Sequence, residues 1–219
     1  MRSRHALDAA AGGCADRLIT EFDRALRALT GVLAAQRSSP AAAVREASLS
    51  QEEKAEAAAL MRVNHAGEIC AQALYQGQAL TARDPSIRRT LQEAAIEEQD
   101  HLGWSAERIR ELGGRTSLLN PLWYAASLGM GVAAGALGDR WSLAFLAETE
   151  RQVEDHLAGH LEKLPGADGR TRAVVEKMRK EEGAHRATAN ALGAAEMPAV
   201  ARGAMRAFAK VMTTVAYRI

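Results

Sequence analysis

The chain has 219 residues, of which 47% are hydrophobic and only 4% aromatic, and its 28 basic and 27 acidic residues leave a formal net charge of +1. This length suits one sizeable core or two small domains. The near-neutral charge excludes the basic surface of a nucleic-acid-binding domain, and the alanine-rich, aromatic-poor composition favours closely packed helices over a β-sandwich.

The N-terminal part predicts a cytoplasmic protein with a helical extension. The first residues are basic, but Asp8 and Asp16 come before any apolar run, so we expect no secretory signal. Cys14 and Cys70 form no metal-binding spacing, which suits a reducing compartment. An apolar helical repeat from Leu18 to Leu33 then predicts an N-terminal helical extension over residues 1–36.

A Ser/Pro/Ala-rich linker is predicted at 37–49 and one all-α domain at 50–219. Ser50 and Glu53 form a capping-box pattern for a helix to about Asp84, and Pro85 suits the first position of the next helix. Further helices are predicted at about 85–112, from an Asp139 cap to about 164, at 169–194, and from Pro198 to the C-terminus.

The segment 116–138 contains no charged residue. Its length could span a bilayer, but Asn120, Pro121 and four glycines weaken its hydrophobicity. We therefore expect a buried or interfacial helix pair rather than a membrane span.

A Glu-x-x-His pattern occurs twice, as Glu98/His101 and, 84 residues later, as Glu182/His185. Residues three apart on a helix lie about 60° apart, so each pair can reach one point. Both pairs interrupt the apolar face of their helix, whereas Glu97 lies outside it and is expected to face solvent.

A single glutamate precedes each pair by one helix. Glu68 lies 30 residues before the first pair and Glu150 lies 32 residues before the second, each on an apolar face. Glu148 is the alternative to Glu150, but it lies about 200° around the helix, so we favour Glu150.

Four buried carboxylates without matching buried cations would be costly unless metal ions neutralise them. Carboxylates with two imidazoles suit iron or manganese better than structural zinc, and this ligand set is that of a ferritin-like dinuclear site. The four glutamates are also the predicted catalytic residues. The predicted metal ligands are Glu68, Glu98, His101, Glu150, Glu182 and His185.

The remaining polar candidates receive weaker predictions. His65 and His156 are expected to be hydrogen-bond partners near the site or packed histidines, and His160 is expected to face solvent. The last helix carries Arg202, Arg206 and Lys210 at four-residue spacing; it either packs on the bundle or lies on an anionic membrane.

Several stretches together resemble the bacterial demethoxyubiquinone hydroxylase family of the ferritin-like di-iron superfamily: "MRVNHAGEICAQALYQGQAL", "EEQDHLGW", "LNPLWYAASLGMGVAAG", "ETERQVEDHL", "EEGAH" and the ending "YRI". The resemblance is strong from about Ser50 and looser from Leu18. It implies a ferritin-like four-helix bundle with an apolar helical insertion and additional N- and C-terminal helices. It also implies two iron ions, bridged by Glu98 and Glu182 and bound terminally by Glu68 and Glu150, with O₂ as co-substrate.

The implied enzyme is a quinol monooxygenase that hydroxylates the ring of a polyprenyl demethoxyubiquinol in ubiquinone biosynthesis. The resemblance also implies that the enzyme lies peripherally on the cytoplasmic face of the bacterial inner membrane. It would act there alone, as a homo-oligomer or with partner proteins of ubiquinone biosynthesis. Residues near Leu122, Trp123, Met130 and Val132 would line the substrate entrance or dip into lipid. The alternatives are another ferritin-like iron or peroxide oxidase, and a non-catalytic membrane-associated helical adaptor.

Overall fold

A computed structural model describes residues 14–31 and 35–219. These residues form seven α-helices and one short 3-10 helix. No strand occurs in these residues, so the all-α prediction is confirmed. The helices are α1 (Cys14–Thr30), α2 (Gln51–Thr81), α3 (Pro85–Glu111), α4 (Asn120–Ala136), α5 (Asp139–Lys163), α6 (Gly169–Ala191) and α7 (Ala199–Ala216), and the 3-10 helix is Pro40–Ala43.

Side-chain caps fix several helix ends where the sequence predicts them. Ser50 and Glu53 form the capping box of α2, and the Asp84 carboxylate accepts the Ser86 backbone N–H at the start of α3. Asp139 does not cap its own helix, contrary to the prediction. Its carboxylate instead accepts the backbone N–H groups of Arg83 (3.0 Å) and Asp84 (2.8 Å), and so ties the α2–α3 turn to the start of α5.

The bundle is formed by α2, α3, α5 and α6, with α2 packed on α3 and α5 packed on α6. Because short turns connect the helices within each pair, the members of a pair run antiparallel. Two buried apolar clusters fill the bundle, one towards each end. The first includes Leu60, Trp104, Leu157, Val174 and Met178, and the second includes Ile87, Leu91, Leu143, Leu146 and Ala189.

The uncharged segment forms one helix, α4, and not the expected pair. It packs along α2, and its glycines explain how closely the two helices approach. A Cβ atom on Gly77 would lie 2.5 Å from the Leu128 carbonyl oxygen, and one on Gly131 would collide with the backbone of Leu74. Within the described residues, no helix is both long and apolar enough to cross a membrane.

Replacing Gly131 by valine should separate α4 from α2. The added side chain would meet backbone atoms of α2, which cannot rotate away, so we expect a loss of about 1–3 kcal/mol in the free energy of unfolding. Urea denaturation measures this loss. Gly129→Val is the matched control, because a Cβ atom there meets nothing within 4 Å. Equal stability of the two variants would contradict the close-packing explanation.

Both terminal helices pack against α2. Ala28 and Leu29 of α1 pack in a cluster with Ile69, Leu102 and Tyr124, while Ile19 and Phe22 remain exposed. Leu33, the last residue of the predicted repeat, lies outside the described residues, as do residues 1–13. The predicted boundaries at 36/37 and 49/50 remain predictions.

At the other end of the chain, α7 packs through one face. Phe208, Met212 and Ala216 lie in a cluster with Val63 and Trp123. Arg206 and Lys210 stay exposed on another face. The helix therefore packs on the bundle, which is one of the two alternatives predicted from the sequence, and Arg206 and Lys210 remain exposed.

Candidate metal centre

All six predicted ligands meet in the middle of the bundle. Their ligand atoms form two groups, each with all atoms within 4.8 Å of one another. Five of the six residues are buried, and His185 is partly exposed. The first group is Glu68, Glu98, His101 and Glu182; the second is Glu150, Glu182 and His185.

Both imidazoles direct Nδ1 at the carboxylates. His101 Nδ1 lies 2.8 Å from Glu98 and 3.2 Å from Glu182. His185 Nδ1 lies 3.1 Å from Glu98 Oε1 and 3.6 Å from Glu182 Oε2. Glu98 and Glu182 each face both histidines, whereas Glu68 and Glu150 belong to one group each.

Burial and mutual repulsion divide the four carboxyl groups into two kinds. Burial, with repulsion from Glu98, raises the pKa of Glu68 well above its usual range, and burial with the charge of Glu182 does the same to the pKa of Glu150. Burial also opposes ionisation of Glu98, but the charge of His101 and the contacts with both histidines together outweigh it and lower the Glu98 pKa. The pKa of Glu182 is lowered as well, because hydrogen bonds from both histidines outweigh burial and repulsion from Glu98.

The two rings take the complementary charge. Burial would lower the pKa of His101, but the charge of Glu98 raises it well above the usual value. For His185, burial would lower the pKa, but the nearby carboxylates of Glu182 and Glu98 outweigh it and raise the pKa to about 12. The site histidines thus favour the charged forms of Glu98 and Glu182, whereas burial and the neighbouring carboxylates oppose the charged forms of Glu68 and Glu150.

These residues fit a pair of divalent ions. Two such ions would carry four positive charges, which match the four negative charges of the ionised glutamates and would neutralise the buried cluster. The Nδ1 atom of His185 is buried and faces carboxylates, yet it forms no hydrogen bond in the described structure. Oxygen donors with one imidazole for each ion suit iron or manganese.

Three further residues around the site escaped the sequence prediction. The Tyr75 hydroxyl donates to Glu150 and lies 3.5 Å from Glu98 Oε1. Its position, seven residues after Glu68, places it on the same face of α2 two turns later, and that spacing was a usable signal. Glu181 contacts His101 Nε2, and Arg37 in turn contacts Glu181; Arg37 carried no such signal.

Glu97 and Glu148 lie outside the cluster. Glu97 is half exposed, in line with the prediction, but its carboxylate also lies 3.2 Å from His185 Nε2. Glu148 is paired with Arg151, which lowers its pKa, and takes no part in the group around Glu150. The preference for Glu150 over Glu148 therefore agrees with the side-chain positions.

The other three histidines of the described residues are largely buried. The prediction that His160 faces solvent is wrong: it is 4% exposed, and its ring lies 3.9 Å from that of His156, one helical turn earlier. Burial lowers the pKa of His156 to about 4 and, with the charges of His156 and Lys163, that of His160 to about 3. Burial also lowers the pKa of His65 to about 4, and Asn120 Nδ2 lies 3.5 Å from its Nδ1.

His65 should make the fold acid-sensitive. Its pKa falls from 6.5 to about 4 on folding, so the unfolded state takes up a proton first and stability falls as the pH drops from 6.5 towards 4. Between about pH 7 and pH 5 this costs about 2 kcal/mol. Urea denaturation of His65→Gln should show a pH-dependent loss smaller by that amount; identical pH dependence would contradict the assignment.

A cavity of about 630 Å³ opens beside the cluster, between α2, α4, α5 and α7. Glu68 forms part of its wall, and Met130, Arg206 and Lys210 also line it. Leu122 and Val132 lie exposed on α4, as the entrance prediction allows. That prediction is wrong for Trp123, which is buried against Phe208 and does not line the cavity.

A family model described as ubiquinone biosynthesis protein COQ7 matches residues 55–216, most of the chain. The chain belongs to the COQ7 family. The resemblance inferred from the sequence motifs is thereby confirmed.

Curated relatives of this COQ7 chain align over nearly its whole length. A protein of Dechloromonas aromatica named 3-demethoxyubiquinol 3-hydroxylase is 60% identical over 203 residues, which cover 93% of this chain and 98% of the relative. Proteins with the same name from Chromobacterium violaceum (58%) and Aromatoleum aromaticum (57%) each align over 204 residues, 93% of this chain and 99% of the relative. The matched range of the COQ7 model contains all six predicted ligands.

Proposed function

We propose that this chain is a 3-demethoxyubiquinol 3-hydroxylase, an O₂-dependent di-iron monooxygenase that acts on a polyprenyl quinol in ubiquinone biosynthesis. The names of the relatives support the reaction. The observation that carries the proposal for this chain is the cavity whose wall includes Glu68, because it gives a bulky apolar substrate a route to the buried cluster.

One iron would be held by Glu68, Glu98, His101 and Glu182, and the other by Glu150, Glu182, His185 and Glu98. The bound irons would supply the redox chemistry that activates O₂. The protein contributes the geometry. Tyr75 holds Glu150 by a hydrogen bond, and the surrounding apolar clusters keep bulk water away from the ligands.

The cavity can also orient the substrate ring. Asn64 and His156 are among the polar residues of its wall, and Met130, Phe145 and Phe208 are among the apolar ones. We assign these polar residues to the oxygen substituents of the quinol ring and the apolar residues to its polyprenyl tail.

Quinone analysis of living cells tests the proposed reaction. In a bacterium that lacks its own 3-demethoxyubiquinol hydroxylase, the wild-type chain should restore ubiquinone, whereas the Glu182→Ala chain should leave demethoxyubiquinone to accumulate. Normal ubiquinone with the Glu182→Ala chain would reject the proposal. Iron loading without any dependence on quinone would favour a storage-type oxidase, and a purified chain without affinity for iron would favour the adaptor.

The substrate's location favours peripheral binding to the cytoplasmic face of the inner membrane, because a polyprenyl tail partitions into the bilayer. Leu122 and Val132 are exposed apolar residues of α4, and Arg206 and Lys210 are exposed cations that line the cavity. Apolar side chains beside cations are typical of surfaces that rest on anionic lipid.

Replacing Leu122 and Val132 by aspartate should therefore release the protein from membranes. Flotation with phosphatidylethanolamine/phosphatidylglycerol vesicles measures binding, and we expect the wild type to float and the double variant to stay in the dense fraction. Ile96→Asp is the matched control, since Ile96 is similarly exposed but lies on α3. Unchanged flotation of the double variant would count against this surface.

A further inference from the structure

The outer nitrogens of the two site histidines are held by carboxylates in a paired arrangement. His101 Nε2 lies 2.7 Å from Glu181 Oε2, and His185 Nε2 lies 3.2 Å from Glu97 Oε2. Each of these glutamates directly precedes the ligand glutamate of the other Glu-x-x-His motif. Because a carboxylate only accepts hydrogen bonds, each ring keeps a proton on Nε2, so Nδ1, which faces the cluster, is the atom that would bind an ion.

Glu181 is fixed by two cations. Arg37 donates from Nη1 to Glu181 Oε1 (2.5 Å) and from Nη2 to Oε2 (3.1 Å), which is a bidentate contact. Lys177 Nζ lies 2.8 Å from Glu181 Oε1. The oxygen that faces His101 therefore belongs to a carboxylate with little freedom to rotate.

Arg37 is itself fixed, although it lies outside the four bundle helices. Its Nε donates to Asp100, and Asp100 Oδ1 also accepts the backbone N–H of Arg37 (3.1 Å). Trp104 Nε1 donates to the Arg37 carbonyl oxygen (3.1 Å), and the guanidinium lies 4.9 Å from the centre of the indole ring. Asp100 and Trp104 flank His101 on α3, and Glu181 lies on α6. Arg37, in the segment between α1 and the 3-10 helix, therefore ties α3 to α6 beside the His101 ring.

The contact on the other histidine lacks this support. Glu97 is half exposed, and no lysine or arginine of the described ranges forms an ion pair with it. Its distance to His185 Nε2 is longer than that of Glu181 to His101, and the His185 side chain is itself 11% exposed, against 0% for His101. The two halves of the site thus share a pattern but differ in rigidity.

We infer that Arg37 is a positioning residue of the site: through Glu181 it orients His101, and the metal position at His101 therefore binds its ion more tightly than the position at His185. The inference rests on the proposed dinuclear centre. Arg37 lies outside residues 55–216, the part that the family model matches.

Cobalt(II) titration of the metal-free full-length protein, followed by visible absorption, tests this arrangement. The wild type should bind two equivalents in two steps of unequal affinity. Glu181→Gln and Arg37→Gln should each weaken the tighter step by about 10–100-fold and shift its absorption bands, with the weaker step unchanged. Arg37→Lys, which keeps the charge but not the bidentate contact, should restore part of the affinity.

Two controls separate positioning from general damage. Glu97→Gln should affect only the weaker step, and Arg179→Gln, which breaks the Arg179–Glu176 ion pair on α6, should affect neither. If the wild type binds two equivalents and the Arg37→Gln and Glu181→Gln curves match it, the inference fails while the proposed centre stands. If the wild type binds no cobalt, both fail.

Discussion

The Glu98→Ala protein should no longer bind two metal ions, and it should therefore no longer hydroxylate the quinol. Glu98 faces both histidines, with contacts of 2.8 Å to His101 Nδ1 and 3.1 Å to His185 Nδ1, so its loss affects both metal positions. Loss of a hydrogen bond outside a ligand set already costs about 10–100-fold in affinity or activity, and loss of a shared ligand should exceed that range.

The measurements are the iron content of the purified protein and the rate of quinol hydroxylation. Glu93→Ala is the matched control, because Glu93 lies on the same helix but is exposed and belongs to neither ligand group. We expect this control to retain its iron and its rate. A Glu98→Ala protein with two irons and a normal rate would refute the assignment of Glu98 as a shared ligand.

Replacing Arg108 by leucine should have the largest effect on stability. The guanidinium is 1% exposed and donates to Asp168 Oδ1 (2.8 Å), Thr171 Oγ1 (2.8 Å) and Glu46. Asp168 is buried as well and caps α6, so removal of Arg108 leaves a buried carboxylate without its cation. Breaking such a pair costs about 3–5 kcal/mol.

Urea denaturation of the metal-free protein measures this loss without interference from bound ions. Arg110→Leu is the control, two residues further along the same helix and exposed, and it should change stability by less than about 0.5 kcal/mol. A similarly small change for Arg108→Leu would show that Asp168 finds other partners, and would remove Arg108 from the determinants of the fold.

The stabilising and the functional charges of this chain are arranged differently. Around Arg108, the one fully buried carboxylate, that of Asp168, is paired with the guanidinium, and the other two partners, Glu46 and Glu111, reach solvent, so the network needs no ligand. In the cluster around Glu98 and Glu182, buried acids are in excess, and only protons or bound ions can neutralise them. The same contrast separates Glu148, which Arg151 neutralises, from Glu150, which among the described residues forms no ion pair with a lysine or arginine.

Much of the site could be predicted from the sequence, because local features of the chain determine where its residues lie. Helix ends depend on caps within one turn, as at Ser50 and Asp84, and the side of a helix on which a residue lies follows from its spacing. Glu98 and His101 could therefore be assigned to one buried face from their spacing alone, and the second copy at Glu182 and His185 excluded chance. The motifs of these same helices also indicated the family.

The tertiary structure decided what depends on contacts between distant segments. The burial of His160, the single helix formed by 116–138, and the approach of Gly131 to α2 result from packing, which no spacing along one helix specifies. The same holds for Arg37. Nothing near it in the sequence indicates a role in the site, because its partners Asp100 and Glu181 lie 63 and 144 residues away and meet it only when the bundle closes.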